Sequence, residues 1–112
     1  MEQIRNFFMK RDVESEDLGG GVSRKILAYS DNLMAVEISF EKGAIGELHS
    51  HPHEQCTYIL EGVFEFQVGN ESRVVKAGDM TYKQPNIKHG VVCLEAGRLL
   101  DIFSPKREDF LE

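Results

Sequence analysis

Nowhere in its 112 residues does the chain hold the roughly 20 consecutive apolar side chains that a membrane-spanning helix needs. The opening stretch, MEQIRNFFMKRD, lacks the apolar core of a secretion signal, which points to the cytoplasm. Basic residues are outnumbered, 13 against 19 acidic, for a net charge of -6. No basic patch or nucleic-acid-reading motif offsets this, so a nucleic-acid partner is excluded. Gly19-Gly20-Gly21 lacks the Lys-Ser/Thr of a phosphate-binding loop and reads as a bend. No segment sustains a helical period, no repeat is visible and nothing suggests a linker. At this length the chain is one domain, 1–112. It divides into an N-terminal arm (1–17), a barrel (18–104) and a C-terminal tail (105–112).

What the chain does have is a concentration of histidine. Gly43 to Gly62 reads GAIGELHSHPHEQCTYILEG and carries three of the four histidines, His49, His51 and His53. The fourth, His89, lies in GDMTYKQPNIKHGVV, from Gly78 to Val92. Side chains at i and i+2 of a strand share a face, so His49 and His51 converge, and Gln55 keeps their parity. A second strand bringing His89 alongside completes a four-ligand set, and imidazole suits Zn, Ni, Cu and Fe. His53 is read as a non-ligand, because Pro52 distorts the strand there, and Glu54 as outward. A glutamine where a carboxylate could stand leaves the ligand set neutral and the ion a stronger Lewis acid. It also leans away from the oxygen chemistry of the carboxylate-bearing iron triad.

The remaining pattern is all-β. Strands are expected at Val22 to Tyr29, Leu33 to Glu41, Thr57 to Glu61, Phe64 to Val68, Arg73 to Lys76, Met80 to Lys83, His89 to Leu94 and Arg98 to Phe103. Met34, Val36, Ile38 and Phe40 should face the core. Gly69-Asn70 signals a two-residue hairpin, and the tail a single helical turn. Residues 1 to 17 read as a solvated loop, with Phe7 and Phe8 available to pin it to a partner sheet. Turns every eight to twelve residues indicate a barrel or jelly roll. Small barrels leave edges that a homodimer covers.

On the last strand Leu99, Asp101 and Phe103 share one face. If that face lines the barrel, Asp101 is an interior carboxylate suited to proton transfer or held structurally by backbone amides. Phe103 is then a wall. Arg107 could reach the mouth and hold a carboxylate, or lie on the surface beside Glu108. Tyr82 and Lys83 are candidates for contacts near the mouth, and Tyr58 for core packing. Cys56 and Cys93 read as reduced core thiols.

The spacing of Gly43, His49-x-His51, Gln55 and Gly62 resembles the first cupin motif, with Gln at the usual Glu position. Gly78 with Pro85 and His89 resembles the second, without its usual Asn. The runs DLGGGVSRKIL, FEKGAIGELHSH, KHGVVCLEAG and DIFSPKREDF are similar to the small KdgF-type proteins of pectin and alginate breakdown. That resemblance implies a single-domain cupin barrel with one divalent metal ion, Ni, Zn, Mn or Fe, on His49, His51, Gln55 and His89. It implies catalytic groups at Asp101, Phe103 and Arg107. It also implies ketonisation of a small sugar acid, an unsaturated monouronate, to its linear 5-keto-4-deoxyuronate form. A cupin oxygenase, a housekeeping isomerase of a different sugar and a non-catalytic sugar-acid sensor are the alternatives.

Overall fold

The structure, a computed structural model, describes residues 5–112. Expectations for residues 1–4 of the arm lie outside the described residues. The described chain forms eight strands, β1 (Glu16–Gly19), β2 (Val22–Tyr29), β3 (Met34–Phe40), β4 (Ile45–His49), β5 (Glu54–Val68), β6 (Glu71–Lys76), β7 (Met80–Lys83) and β8 (His89–Ser104). Short 3-10 turns at Lys10–Asp12 and Glu108–Leu111 flank them. The fold is the expected all-β jelly roll. No helix among the described residues is long and apolar enough to cross a membrane.

Two strands organise it. β8 pairs antiparallel with β3, β4 and β5, and β5 pairs with β6, β7 and β8. The first half of β5 lies between β7 and the second half of β8. Its second half lies between β6 and the first half of β8. Both strands were expected as two shorter ones, broken at Gly62 and at Glu95-Ala96-Gly97. Instead the chain bends without leaving the sheet. The register between β5 and β8 shifts from Ile59 to Phe64. There a Cβ on Gly97 would stand 2.0 Å from the Glu61 carbonyl oxygen. The absence of a Cβ on the glycine lets the two backbones close the corner.

One shorter correction concerns the N-terminal end. β1 was not expected. It hairpins onto β2 through Gly19-Gly20-Gly21, all at positive φ, which makes this triplet the bend anticipated for it. The Gly69 turn and the C-terminal turn also form as expected.

Period-two alternation packs the interior. Met34, Val36 and Phe103 form one buried cluster, with Ile38 against it. Phe40, Ile59, Phe64, Phe66, Cys93 and Leu99 form much of the other. Cross-strand register carries two rows over the inner face: Met34, Phe103, Gln55 and Lys83, then Val36, Asp101, Thr57 and Thr81. Apolar residues hold the β3 end of each row and polar ones the rest.

The opposite face corrects two further expectations. Tyr58 is not core but 39% exposed, and Cys56 is only partly buried. Each has the wrong parity for the interior, and they pair across the sheet with Met80 and Tyr82, also exposed.

Candidate metal centre and adjoining cavity

His49 ends β4 and pairs across the sheet with His89, the first residue of β8. His51 lies in the connection between β4 and β5, so strand parity is not what brings it to His49. The three imidazoles nevertheless converge. One nitrogen from each lies within 4.8 Å of the others, and the ring centroids are 4.4 to 5.6 Å apart. His53 is outside this cluster, as expected.

Each Nδ1 faces a backbone carbonyl: His49 that of Glu47 at 2.6 Å, His51 that of His53 at 3.2 Å, His89 that of Ile87 at 3.0 Å. A carbonyl can only accept, so each Nδ1 carries the proton and each Nε2 offers a lone pair. His89 Nε2 is buried without any hydrogen-bond partner. Burial pushes its pKa down to about 4, and burial, with Arg107 second, lowers that of His51. Both shifts favour neutral rings at His51 and His89, the form that ligates.

Gln55 supplies a second sign. Its Nε2 donates to Asp101 Oδ1 at 2.9 Å, so its Oε1 turns to His51 Nε2, also at 2.9 Å. With the His51 proton on Nδ1, two lone pairs face each other. A cation resolves that contact, and the unpartnered His89 Nε2 points to the same need. The residues therefore fit a divalent metal, with three imidazoles and room for the amide oxygen.

A cavity of about 360 Å³ opens beside the cluster, within the range of small-molecule sites. His49, Gln55, His89, Asp101, Phe103, Arg107 and Phe110 are among its walls. Asp101 is 5% exposed and accepts two side-chain hydrogen bonds on Oδ1, from Gln55 Nε2 and from Thr57 Oγ1 at 2.5 Å. Among the described residues it is these side chains, rather than the backbone amides of the structural alternative, that hold its carboxylate. Phe103 is a buried wall, edge-on to His51 at 5.8 Å and to Phe110 at 5.6 Å.

Arg107 lies over Phe103 and Phe110, its guanidinium 5.1 and 4.3 Å from the ring centres. Its ion-pair partner is Asp109 rather than Glu108, with Nε at 3.0 Å and Nη2 at 2.9 Å. One edge of the fork is therefore occupied, and Nη1 is left for a ligand. The tail thus covers part of the cavity, with Phe110 between Arg107 and Arg24.

Lys83 was misplaced by sequence reasoning. It is not near the mouth but fully buried beside the cavity, at 0% exposure. Its Nζ donates to Thr57 Oγ1 at 2.6 Å and lies 4.5 Å from the centre of the Phe66 ring. Burial lowers its pKa to about 8, with Asp101 and Cys56 opposing. Thr57 and Arg24 were missed altogether. Thr57 has the parity of Gln55, a signal that was available. Arg24 carries no such signal, because the Phe110 ring it lies over comes from the far end of the chain.

Comparison with known proteins gives a consistent picture. A cupin-domain family profile matches residues 36–103. The chain is 46% identical over 110 residues to the pectin degradation protein KdgF of Dickeya dadantii (strain 3937), covering 96% of this chain and all of that protein. It superposes on an RmlC-like cupin from Shewanella frigidimarina with a TM-score of 0.93, at 44% identity, covering 98% of this chain and 99% of the other. With KdgF from a Halomonas species the TM-score is 0.92, at 36% identity, covering 96% and 99%.

Proposed function

The chain belongs to the cupin family and within it to the KdgF proteins of pectin degradation, and from that premise we propose that it ketonises unsaturated monouronates. The product is the linear 5-keto-4-deoxyuronate. The observation that carries the proposal is Asp101, an interior carboxylate held on one oxygen by Gln55 and Thr57 beside the three-histidine cluster. An acid–base group beside a Lewis-acid site, in a cavity the size of a small molecule, suits proton movement on a sugar acid.

In this reading His49, His51 and His89, with Gln55 Oε1, hold one divalent ion. The ion, when bound, supplies Lewis-acid stabilisation of negative charge on oxygen. The chain's own groups do the rest. Arg107 Nη1 meets the substrate carboxylate at the mouth. Asp101 takes the proton of the anomeric hydroxyl as the ring C–O bond breaks and the aldehyde forms. It returns a proton to the vinyl carbon as the enol oxygen becomes the ketone. One proton leaves oxygen and one arrives on carbon, so no redox partner is required. Phe103 and Phe110 line the cavity and limit water around the enol.

The test follows the ultraviolet absorbance of the conjugated 4,5-unsaturated uronate with and without the metallated protein. Decay faster than the spontaneous reaction supports the proposal. Unchanged decay with a correctly metallated protein removes it.

A further inference from the structure

We propose that Lys83 is a positioning residue for Asp101 and acts through the hydroxyl of Thr57. The inference rests on the reading of Asp101 as the acid–base group. It adds a lysine and a threonine that lie behind that carboxylate.

Three observations carry it. Lys83 stands in the cavity wall yet is wholly enclosed, at 0% exposure, so its ammonium is turned to its protein neighbours. Its Nζ reaches Thr57 Oγ1 at 2.6 Å, and Thr57 Oγ1 reaches Asp101 Oδ1 at 2.5 Å. Phe66 caps the ammonium on another side, 4.5 Å from its ring centre. A lysine enclosed without a direct acid partner is costly unless something balances it. The balancing charge here is Asp101, one hydroxyl away.

The chemistry of the donors sets the direction. A protonated amine has hydrogens and no lone pair, so Thr57 must accept from Lys83. The single hydroxyl hydrogen of Thr57 is then committed to Asp101 Oδ1. Gln55 Nε2 adds a second donor to the same oxygen. Both bonds land on Oδ1, which leaves Oδ2 as the oxygen to meet substrate. An uncharged residue at 83 frees the Thr57 hydroxyl to rotate, and the carboxylate loses one of its two restraints. Register explains why the lysine is there. It ends the Met34–Phe103–Gln55–Lys83 row, one row away from Thr57 and Asp101.

The experiment compares Lys83→Met, Thr57→Val and Thr57→Ser with the parent, all metal-loaded, by kcat and KM for the unsaturated uronate. The expected result is a kcat lower by roughly tenfold to a hundredfold in the first two, the size seen when a ligand's supporting partner is removed. KM stays within about twofold, because both side chains are fully buried, and Thr57→Ser restores kcat by keeping the hydroxyl. A parent-like kcat in Thr57→Val, or a loss confined to KM, overturns the proposal.

A second readout does not need turnover. In zinc-loaded protein labelled with ¹⁵N at lysine Nζ, the enclosed ammonium should give a slowly exchanging signal. Lys83→Met should abolish it and Thr57→Val should shift it. Absence of that signal from the parent, or indifference to Thr57→Val, overturns the lock even if the uronate reacts. A parent that leaves the uronate untouched while keeping the signal sinks the proposed reaction and retains the Lys83–Thr57 device.

Discussion

Replacing Asp101 with Asn separates chemistry from architecture. The asparagine has the shape of aspartate, and its Oδ1 can still accept from Gln55 Nε2 and Thr57 Oγ1. What disappears is the charge that balances Lys83 and the oxygen that takes up a proton. Two hydrogen bonds to a charged acceptor become bonds to a neutral one, a loss of about 1 kcal/mol each, or about 2 kcal/mol in all. For a domain of this size about 1 kcal/mol moves the melting temperature by roughly 4 °C, so a drop of about 8 °C is expected. The kinetic loss should be far larger. Removing an acid–base group costs about 10²–10⁴-fold in kcat, or about 3–5 kcal/mol of barrier. KM should stay within about threefold, because Arg107 and the metal cluster are untouched. The assay is the decay of uronate absorbance, run beside elemental analysis and thermal melting. A variant that keeps its metal and its fold with kcat within threefold of the parent would refute the role assigned to Asp101.

Other outcomes follow from the same geometry. His89→Ala removes an imidazole of the cluster whose Nε2 is buried without a partner, and metal affinity should fall at least about tenfold, measured by competition with a chelator. Metal-free protein should lose stability on acidification between about pH 6.5 and 4. The folded-state value of His89 is about 4, below the ordinary 6.5, so the unfolded chain takes up the proton first and unfolding is favoured as pH falls. The loss is at most about 3 kcal/mol, and a melting temperature flat across that interval would contradict it. Gly97→Ala drives a methyl into the Glu61 carbonyl. It should cost about 3 kcal/mol or more, seen as a lower urea midpoint with an unchanged slope. The exposed Tyr58, Met80 and Tyr82 on the outer face are the surface on which we expect the homodimer to form. Tyr58→Glu should then convert a dimer to a monomer in sedimentation velocity, and a parent that sediments as a monomer would end that expectation.

The three-histidine cluster was legible in the sequence by a partly mistaken route. Parity along one strand predicted that His49, His51 and Gln55 would share a face. The strand in fact ends at His49, and His51 reaches the cluster from a connecting segment. The spacing was informative because the connection is short, and only the pairing of His49 with His89 shows how it closes. Asp101 and Phe103 were placed inward by alternation on the last strand, and that alternation holds through Ser104. Alternation failed where it was not applied. Thr57 shares the parity of Gln55 and points inward, while Tyr58 and Cys56 lie on the other parity and face out.

Local chemistry alone determined the β class, the hairpin at Gly69, the glycine bend at Gly19 to Gly21 and the histidines as candidate ligands. Each depends on residues close in the chain. Tertiary structure decided that β5 and β8 run unbroken through a corner, because backbone contact between Gly97 and Glu61 is invisible along either strand. It also decided that Lys83 is enclosed. Nothing local distinguishes a lysine in a short strand facing solvent from one facing Thr57 and Phe66. Only the register that sets β7 against the first half of β5 turns it inward.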